Sequence, residues 1–354
     1  MYRCAIVGVG GNRANGHAHA YANGRIERGQ LVAVSTRNPE KLAAFGERHG
    51  IAARYTDYRE MFARERLDLV HVNTPPDVRL EIFQAAADAG IPALVVEKPL
   101  AIQWEDYRAI AEFARTSPVK IAVNHQLHFH PRRLALQRLV AGGGIGDIRF
   151  VDASAGLNMA FQGTHTLQAI RAFLPDRMLH TLTPHTVFAQ ASGTDGLQPT
   201  PRQHYAPDAL LATLDYGDGI TALLRCGTNA PKVLADDPRA HIHKRIGVYG
   251  EKGYVHWTMW SWEVGQAGRV ERGSHEYGAE DVLGQASLTE AMFDWLEDDR
   301  AVHPLNLDVS LQDFAVMLNL YESALHREIR RLDGGGSAAS QQAGLMAALR
   351  VGLG

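Results

Sequence analysis

Short apolar runs alternate with amphipathic stretches through the first third of the chain. Runs rich in β-branched residues predict buried strands, and a spacing of three to four residues between apolar positions predicts helices. The predicted strands cover 4–7, 31–34, 67–73, 94–96 and 119–124, and helices are predicted over 77–89 and 104–115. Such alternation is typical of a parallel sheet covered by helices on both faces.

The pattern changes after residue 124. Longer β-like segments at 148–155, 209–214, 221–227, 245–249 and 254–260 predict an antiparallel or mixed sheet, and amphipathic helices at 285–296 and 309–332 are expected to close it. Residues 333–340 read DGGGSAAS, which is typical of a flexible linker. We therefore predict an α/β protein with domains at 1–124 and 125–332, followed by a flexible tail at 333–354.

Composition narrows the class of protein. The 354 residues are 45% hydrophobic and 21% charged, which suits a globular protein of two domains. The net charge of −3 comes from 36 basic and 39 acidic residues spread along the chain, so we expect no nucleic-acid partner. No apolar run approaches the ~20 residues that span a bilayer, and the amino terminus lacks a cleavable signal pattern. A cytoplasmic protein without a membrane partner is expected, and Cys4 and Cys226 are expected to be core residues.

A glycine-rich turn follows the first strand. Gly8 and Gly10 in GVGGNRANGHA fit the first two positions of the dinucleotide-binding fingerprint, where one glycine permits the tight turn and the other lets the backbone approach a pyrophosphate. With one inserted residue, Ala14 takes the third position, where a small side chain lets helix and strand pack closely. The first domain is therefore predicted to be a Rossmann dinucleotide-binding domain.

The residues at the end of the second strand indicate whether NAD or NADP is preferred. NAD-specific sites usually place an acid about 20 residues beyond the glycines, to accept hydrogen bonds from the ribose. Here Ser35, Thr36 and Arg37 occupy this place. A guanidinium and hydroxyls bind a 2′-phosphate, which a carboxylate would repel. We predict that NADP(H) is preferred and that NAD(H) is possible; the alternative is that Arg37 is simply exposed in a loop.

The segment ALVVEKPL, residues 93–100, contains the strongest candidate for a catalytic residue. Its strand must stop at Pro99, so Lys98 stands at the carboxyl end of a parallel strand, the edge where open α/β sheets bind ligands. Right-handed crossovers bring the ends of the other strands to the same edge. The further residues predicted there to contact the cofactor are Thr74, Pro75, Glu97, Lys98 and Asn124.

Together these motifs resemble the glucose-fructose oxidoreductase, inositol dehydrogenase and rhizopine catabolism family, called Gfo/Idh/MocA. The resemblance covers about residues 2–332 and rests on the glycine turn followed by His17, NTPPDVRLEIFQAAADAG, VEKPLA, NHQLHFHP, GTHTLQAIRAFL and IGVYGEKGYV. It implies a Rossmann domain, a second α/β domain with a large open, mostly antiparallel sheet that often packs against another subunit, and hydride transfer to or from a sugar or cyclitol. It also implies that Lys98 and His165 are catalytic.

The expected chemistry agrees with these two residue types, although the family pattern is incomplete. A lysine whose pKa is lowered by burial or by a neighbouring cation can accept the hydroxyl proton, and a histidine can orient the hydroxyl or carry the proton. Acids that many family members carry near the histidine are replaced by Phe161 and Gln168. Asn158 or Gln162 can supply hydrogen bonds there but cannot accept a proton at neutral pH.

A histidine-rich loop follows Asn124. His128 replaces an arginine that is common in the family, and His125 and His130 flank it. Three histidines at this spacing can in principle bind a metal, but imidazoles also bind polyols, and we predict no metal. The residues predicted to bind substrate are Lys98, His125, His128, Asn158, Gln162 and His165.

The sequence thus predicts an NAD(P)-dependent oxidoreductase acting on a sugar, sugar derivative or cyclitol. Two alternatives stay open: a redox-neutral lyase, glycosidase or epimerase with tightly bound nicotinamide, and a sensor that lost catalysis. Because an open sheet needs its outer face covered, a homodimer or homotetramer is expected.

Overall fold

The computed structural model describes residues 1–175, 183–197, 205–332 and 342–353. The chain divides into two compact units. The first combines Met1–His130 with Gly278–Ser310, and the second combines Pro131–Tyr277 with the described residues from Leu311 onward.

The first unit is built on a six-stranded parallel sheet. Its strands are β1 (Tyr2–Val7), β2 (Gly29–Ser35), β3 (Ala53–Tyr55), β4 (Leu69–Val72), β5 (Ala93–Glu97) and β6 (Lys120–Asn124). They lie in the order β3-β2-β1-β4-β5-β6. This order reverses between β1 and β4, which is where doubly wound sheets bind nucleotides.

Helices follow the strands of this sheet. They are α1 (Asn12–Tyr21), α2 (Pro39–His49), α3 (Tyr58–Arg64), α4 (Arg79–Asp88) and α5 (Trp104–Thr116). Local chemistry fixes the ends of α2, because the side chain of Asn38 accepts a hydrogen bond from the Lys41 amide at 2.9 Å and Gly50 ends the helix in the left-handed conformation. Between α1, α2 and the sheet lies a core that contains Ile6, Val34 and Phe45.

The second unit contains, within the described part of the chain, a nine-stranded mixed sheet in the order β14-β13-β12-β11-β7-β10-β9-β8-β15. The strands are β7 (Ile148–Ala155), β8 (Thr186–Ser192), β9 (Ala209–Asp215), β10 (Thr221–Gly227), β11 (Lys244–Gly250), β12 (Gly253–Thr258), β13 (Ser261–Gln266), β14 (Arg269–Ser274) and β15 (Arg330–Arg331). Among its neighbouring strands, β7 and β10 are parallel and the other pairs are antiparallel. The predicted α/β class, with a parallel and a mostly antiparallel sheet, is confirmed.

The remaining helices are α6 (Pro131–Ala141), α7 (Thr164–Arg171), α8 (Tyr277–Glu297), α9 (Leu307–His326) and α10 (Gln342–Leu353). Helix α7 packs against β7, β10 and β11. Along β9, Leu210, Ala212 and Leu214 are buried and Leu211 and Thr213 are exposed, so one face of the sheet is covered within the unit.

Helix α8 differs from the prediction, which placed 285–296 in the second domain. It belongs to the first unit, where the ring of Phe293 stacks on Tyr2 at 4.3 Å and Glu290 pairs with Arg28 at 2.7 Å. The first unit also extends to His130, beyond the predicted boundary at 124. The reason is that α8 finds its apolar partners far back along the chain, and local patterning carries no such information.

The carboxyl-terminal residues also differ from the predicted flexible tail at 333–354. Helix α10 buries Leu345, Met346 and Leu349, and Arg350 donates hydrogen bonds to the carbonyl of Leu197. The predicted linker 333–340 lies outside the described residues. Among the described helices, none combines the length and the apolar character that a membrane span requires.

Candidate active site

The glycine turn lies where three strands of the first unit end. Gly8 has φ +94°, and a Cβ at this position would lie 2.9 Å from the carbonyl carbon of Asn73 and 3.0 Å from the amide of Thr74. The Gly8 amide donates to the carbonyl of Ser35 at 2.8 Å. A side chain at residue 8 is therefore excluded both by backbone conformation and by space. Ala14, which is fully buried on α1, packs into the core beside β1.

The amino terminus of α1 opens onto this turn. Its N-cap, Gly11, has no side chain that could bond the first amides of the helix, so these groups are suited to an anion such as a pyrophosphate. A Cβ at Gly10 would lie 3.9 Å from both Oγ1 of Thr36 and Nζ of Lys41. Lys41 thus joins the predicted Thr36 and the exposed Arg37, although the sequence analysis did not identify it.

Two polar side chains after β4 support the same assignment. The hydroxyl of Thr74 and both amide atoms of Asn73 are shielded from solvent and have no hydrogen-bond partner among the described residues. Pro75 beside them is exposed. Because buried polar groups are normally paired, these atoms are suited to a ligand. The turn, the helix terminus and these unpaired groups together fit a nicotinamide dinucleotide.

Glu97 is the centre of a buried polar network. Its Oε1 accepts hydrogen bonds from Asn124 and lies 3.3 Å from Nε2 of His17, and Asn124 also donates to Oε1 of Gln285 at 3.0 Å. Arg13 approaches the same carboxylate at 3.7 Å. Burial alone would raise the pKa of Glu97, but the bond from His17 and the charge of Arg13 outweigh it and hold that pKa at about 2. The carboxylate therefore stays charged.

Lys98 follows Glu97 directly and is half-buried. Burial lowers the pKa of its ammonium group, Glu97 opposes the change, and the charges of Arg13 and Arg79 add to it. A lysine in these surroundings releases its proton closer to neutral pH than an exposed one. The cofactor residues predicted at the sheet edge thus divide. The hydroxyl of Thr74 and Oδ1 of Asn124 are shielded and have no hydrogen-bond partner among the described residues, whereas Glu97 accepts from the Asn124 amide nitrogen.

The histidine-rich loop, predicted to face the substrate, is largely buried. His125 and His130 are buried in the first unit, and Nε2 of His130 lies 3.0 Å from a carboxylate oxygen of Glu280. His128, on a short 3₁₀ helix, is half-buried and its ring meets that of Phe129 edge-on at 4.9 Å. The loop turns inward because Leu127 and Phe129 are buried, so His128 is the most accessible of the three imidazoles.

His165 is the second residue of α7 in the second unit and is 8% exposed. A single π-helical turn, Met159–Gly163, precedes α7. Phe161 in this turn is 38% exposed, and Gln168 on α7 is buried. Lys98 and His165 thus belong to different units, and their catalytic pairing stays a prediction.

The two amides proposed to replace the missing acid behave differently. Gln162 donates to the carbonyl of His241 at 2.8 Å and accepts from the amide of Leu157 at 3.3 Å. Both polar atoms of its side chain are therefore hydrogen-bonded to the main chain. Oδ1 of Asn158 is shielded and has no hydrogen-bond partner within the described ranges. The geometry therefore favours Asn158 over Gln162 as a substrate residue.

Comparison with known proteins agrees with the fold of the first unit. The fold and the glycine turn define the first unit as a Rossmann-type unit suited to a dinucleotide. The family model described as "Oxidoreductase family, NAD-binding Rossmann fold" (GFO_IDH_MocA) matches residues 2–125. Residues 2–125 thus match the Gfo/Idh/MocA family model, and over this part of the chain the resemblance drawn from the motifs is confirmed.

Individual relatives match parts of the chain. D-apiose dehydrogenase from Paraburkholderia graminis is 30% identical over 145 residues, which are 41% of this chain and 38% of the relative. D-xylose 1-dehydrogenase (NADP(+)) 2 from Haloferax volcanii is 24% identical over 220 residues, 57% of this chain and 63% of the relative. The chain thus spans less than two thirds of the length of these curated relatives.

Solved structures resemble nearly the whole chain. An oxidoreductase from Agrobacterium radiobacter, in complex with NAD+, L-tartaric acid and magnesium, superposes with a TM-score of 0.75 at 18% identity, covering 93% of this chain and 98% of that one. At this identity the likeness establishes the fold of both units.

Several residues of the site were not identified as functional from the sequence. They are Arg13, His17, Lys41, Arg79 and Gln285. Lys41 has a usable signal, because it lies in the first turn of a helix that begins just after Thr36 and Arg37. Gln285 has none, because it lies 161 positions from the Asn124 it contacts.

Proposed function

We propose that this protein is an NADP(H)-preferring oxidoreductase that moves a hydride between nicotinamide and a secondary alcohol or ketone of a sugar, sugar derivative or cyclitol. The observation that carries the proposal is the position of Lys98, whose pKa is lowered at the same sheet edge as the glycine turn. The names of the relatives, an apiose and a xylose dehydrogenase, support the substrate class.

The proposed chemistry assigns proton transfer to this chain. When bound, the nicotinamide cofactor accepts the hydride and its two electrons from the carbon of the alcohol. The neutral amine of Lys98 takes the hydroxyl proton, so the substrate O–H bond breaks, an N–H bond forms and the product is a ketone. His165 orients the hydroxyl, and Asn158 and His128 add hydrogen bonds. Because Phe161 replaces the expected acid, proton transfer is assigned to Lys98, and His165 is the group that works with it.

The preference for NADP(H) rests on the charges beyond β2. Thr36, Arg37 and Lys41 supply a hydroxyl and two cations, and none of these three positions holds a carboxylate. Cations and hydroxyls bind a 2′-phosphate. The name of one relative, an NADP(+) enzyme, is consistent with this choice.

We also propose that the chain forms a homodimer or homotetramer. On the outer face of the large sheet, Phe150 is 37% and Leu211 is 39% exposed. A second copy of the same face would cover these apolar side chains in a symmetric interface. Light scattering of the purified protein tests this, and a monomer at micromolar concentration would reject it.

A substrate screen tests the activity. Purified protein is mixed with a panel of sugars and inositols and either NAD or NADP, and reduced nicotinamide is followed by its near-ultraviolet absorbance. A stoichiometric change, larger with NADP, is expected. Turnover without net reduction, by protein that co-purifies with cofactor, would instead indicate redox-neutral chemistry. Failure with the whole panel, together with a specific protein partner, would indicate a sensor.

The variant Lys98→Ala tests the assigned role. We expect NADPH binding to persist and turnover to fall by roughly 10²–10⁴-fold, the usual contribution of a general acid or base. Lys120→Ala, which changes a lysine on β6, is the matched control and should keep its turnover. Intact turnover in Lys98→Ala would reject the role.

A further inference from the structure

Arg79 is a buried arginine between two loops of the candidate site. It is the first residue of α4 and only 2% exposed. Its Nε and Nη2 donate to the carbonyl of Thr74 at 3.2 and 2.8 Å, and its Nη1 donates to the carbonyl of Pro99. One carbonyl belongs to the loop after β4 and the other to the loop after β5. A single guanidinium thus ties the Thr74 loop to the loop that carries Lys98.

These bonds leave the charge of Arg79 without an ion-pair partner. In the described part of the chain, no carboxylate lies within ion-pair distance of its guanidinium. Burying a charge costs several kcal/mol unless it is compensated, and two carbonyl dipoles compensate it only in part. A neutral side chain would hold the fold at lower cost. The charge itself therefore points to a role at the site.

We propose that Arg79 is a positioning residue for Lys98: it fixes the spacing of the two loops and holds an unpaired positive charge near the lysine amine. The proposal rests on the proposed oxidoreductase function but concerns a residue to which no role has been given. It predicts two separable effects, one on loop geometry and one on the protonation of Lys98.

The electrostatic part depends on all charged groups that act on the two residues. For Lys98 these are Glu97, which favours the ammonium, and Arg13 and Arg79, which disfavour it in addition to burial. For Arg79, burial lowers its own pKa to about 10, while Glu97, Asp77 and Tyr107 oppose that change. Arg79 therefore stays charged at neutral pH, and its charge offsets part of the influence of Glu97 on Lys98.

Two variants separate the effects. Arg79→Gln keeps a hydrogen-bond donor and removes the charge, and Arg79→Met removes both. Arg59→Gln, at an exposed arginine that pairs with Glu81, is the matched control. The primary measurement needs no substrate: the amine of Lys98 is acylated over a range of pH in cofactor-free protein and quantified by mass spectrometry, with the exposed Lys252 as internal reference.

We expect the midpoint of Lys98 labelling to rise by about one pH unit in both Arg79 variants, the order of magnitude for losing one nearby charge. It should stay constant in Arg59→Gln. The acidic limb of the kcat/KM profile for alcohol oxidation should move by the same amount, and Arg79→Met should lose kcat beyond Arg79→Gln. A merely structural role would lower the melting temperature without moving either pH midpoint.

An unchanged labelling midpoint in folded Arg79→Gln protein would overturn the proposal. If both variants fail to fold, Arg79→Lys replaces them, because it keeps the charge but loses the paired bonds to the two carbonyls. A midpoint of Lys98 labelling equal to that of the wild type would support the charge effect. A shifted midpoint in this variant would contradict it. If the midpoint of Lys98 labelling shifts in the Arg79 variants but the wild-type protein reduces no nicotinamide with any substrate, the role of Arg79 is supported and the proposed function is rejected.

Discussion

Two buried carboxylates, one in each unit, behave in opposite ways. Glu97 in the first unit has its pKa held at about 2, because several donors outweigh the effect of burial. Asp313 in the second unit has its pKa raised by burial, although Arg171 lies 2.7 Å away and opposes that change. In these two sites, the acid with several donors favours its charged form, and the acid with one cationic partner does not.

The two carboxylates differ in pKa because the side chains around them differ in number and kind. Around Glu97, side chains from α1, β6 and α8 converge beside Lys98. The pair of Arg171 and Asp313 instead joins α7 to α9. Since α7 also carries His165, the ion pair holds the helix on which the proposed catalytic histidine lies.

The largest expected effect is on the second unit. Arg171→Met leaves Asp313 buried without its cation and should lower the free energy of unfolding by about 3–5 kcal/mol at neutral pH. Arg171 opposes the rise that burial causes in the pKa of Asp313, so its loss should raise that pKa further, and the destabilisation should shrink as the pH falls and the carboxyl is protonated. Urea unfolding at neutral and mildly acidic pH measures this. The double change Arg171→Met, Asp313→Leu should recover most of the stability, and a double variant as unstable as the single one would contradict the account.

Glu97→Gln tests the first unit. The pKa of Glu97 falls from 4.5 to about 2 on folding, so its charged form contributes about 3 kcal/mol of stability above the unfolded pKa. This contribution is lost as the pH falls from 4.5 toward 2. The gap between wild type and variant should therefore close in acid, over the range between the two pKa values of Glu97. Glu112→Gln, at an exposed site on α5, should leave stability nearly unchanged at all pH values. A gap for Glu97→Gln that widens in acid would reverse the comparison.

The variant Gly8→Ala tests whether the glycine turn after β1 is closed to a side chain. Both the positive φ and the overlap with Asn73 oppose a side chain, so we expect a loss of about 2 kcal/mol and at least tenfold weaker NADPH binding. Gly16→Ala, inside α1 with open space at its Cβ, should instead stabilise the protein by about 0.5–1 kcal/mol. Thermal melting and fluorescence titration measure the two effects. Equal behaviour of the two variants would show that the turn is not constrained.

The smallest expected effect concerns cofactor choice. Arg37→Ala and Lys41→Ala should each weaken NADPH binding by about tenfold, or 1.4 kcal/mol, because a charged contact to the 2′-phosphate is lost. NADH binding should not change. Arg64→Ala, at an exposed arginine on α3, serves as the control. Equal weakening of both dinucleotides would place these cations elsewhere than at the 2′-phosphate.

Local patterns predicted the parts of the fold whose causes are local. The strand at 221–227 and the helix at 104–115 were placed within one residue, because each has a clear period and clear ends. β14 was missed, because its side chains are almost all exposed and give no apolar run. Helix α10 was hidden by the glycine-rich segment before it.

The candidate site divides in the same way. The positions of Gly8 and Lys98 at strand ends were predicted from short motifs, because the causes of these positions are local. Other features depend on contacts between segments that are distant in the sequence. They are the burial of His125, the hydrogen bond from Gln162 to the carbonyl of His241, and the hydrogen bond from Asn124 to Gln285. Sequence spacing cannot report such contacts.

A double-mutant cycle on Lys98 and His165 tests the central claim most directly. The kcat/KM of Lys98→Met, His165→Asn and the double variant is measured with a substrate found in the screen, after NADPH binding has been verified for each. If the two residues form one acid–base unit, the double variant should be about as slow as the slower single one. Multiplying losses, or full turnover in either single variant, would contradict the account.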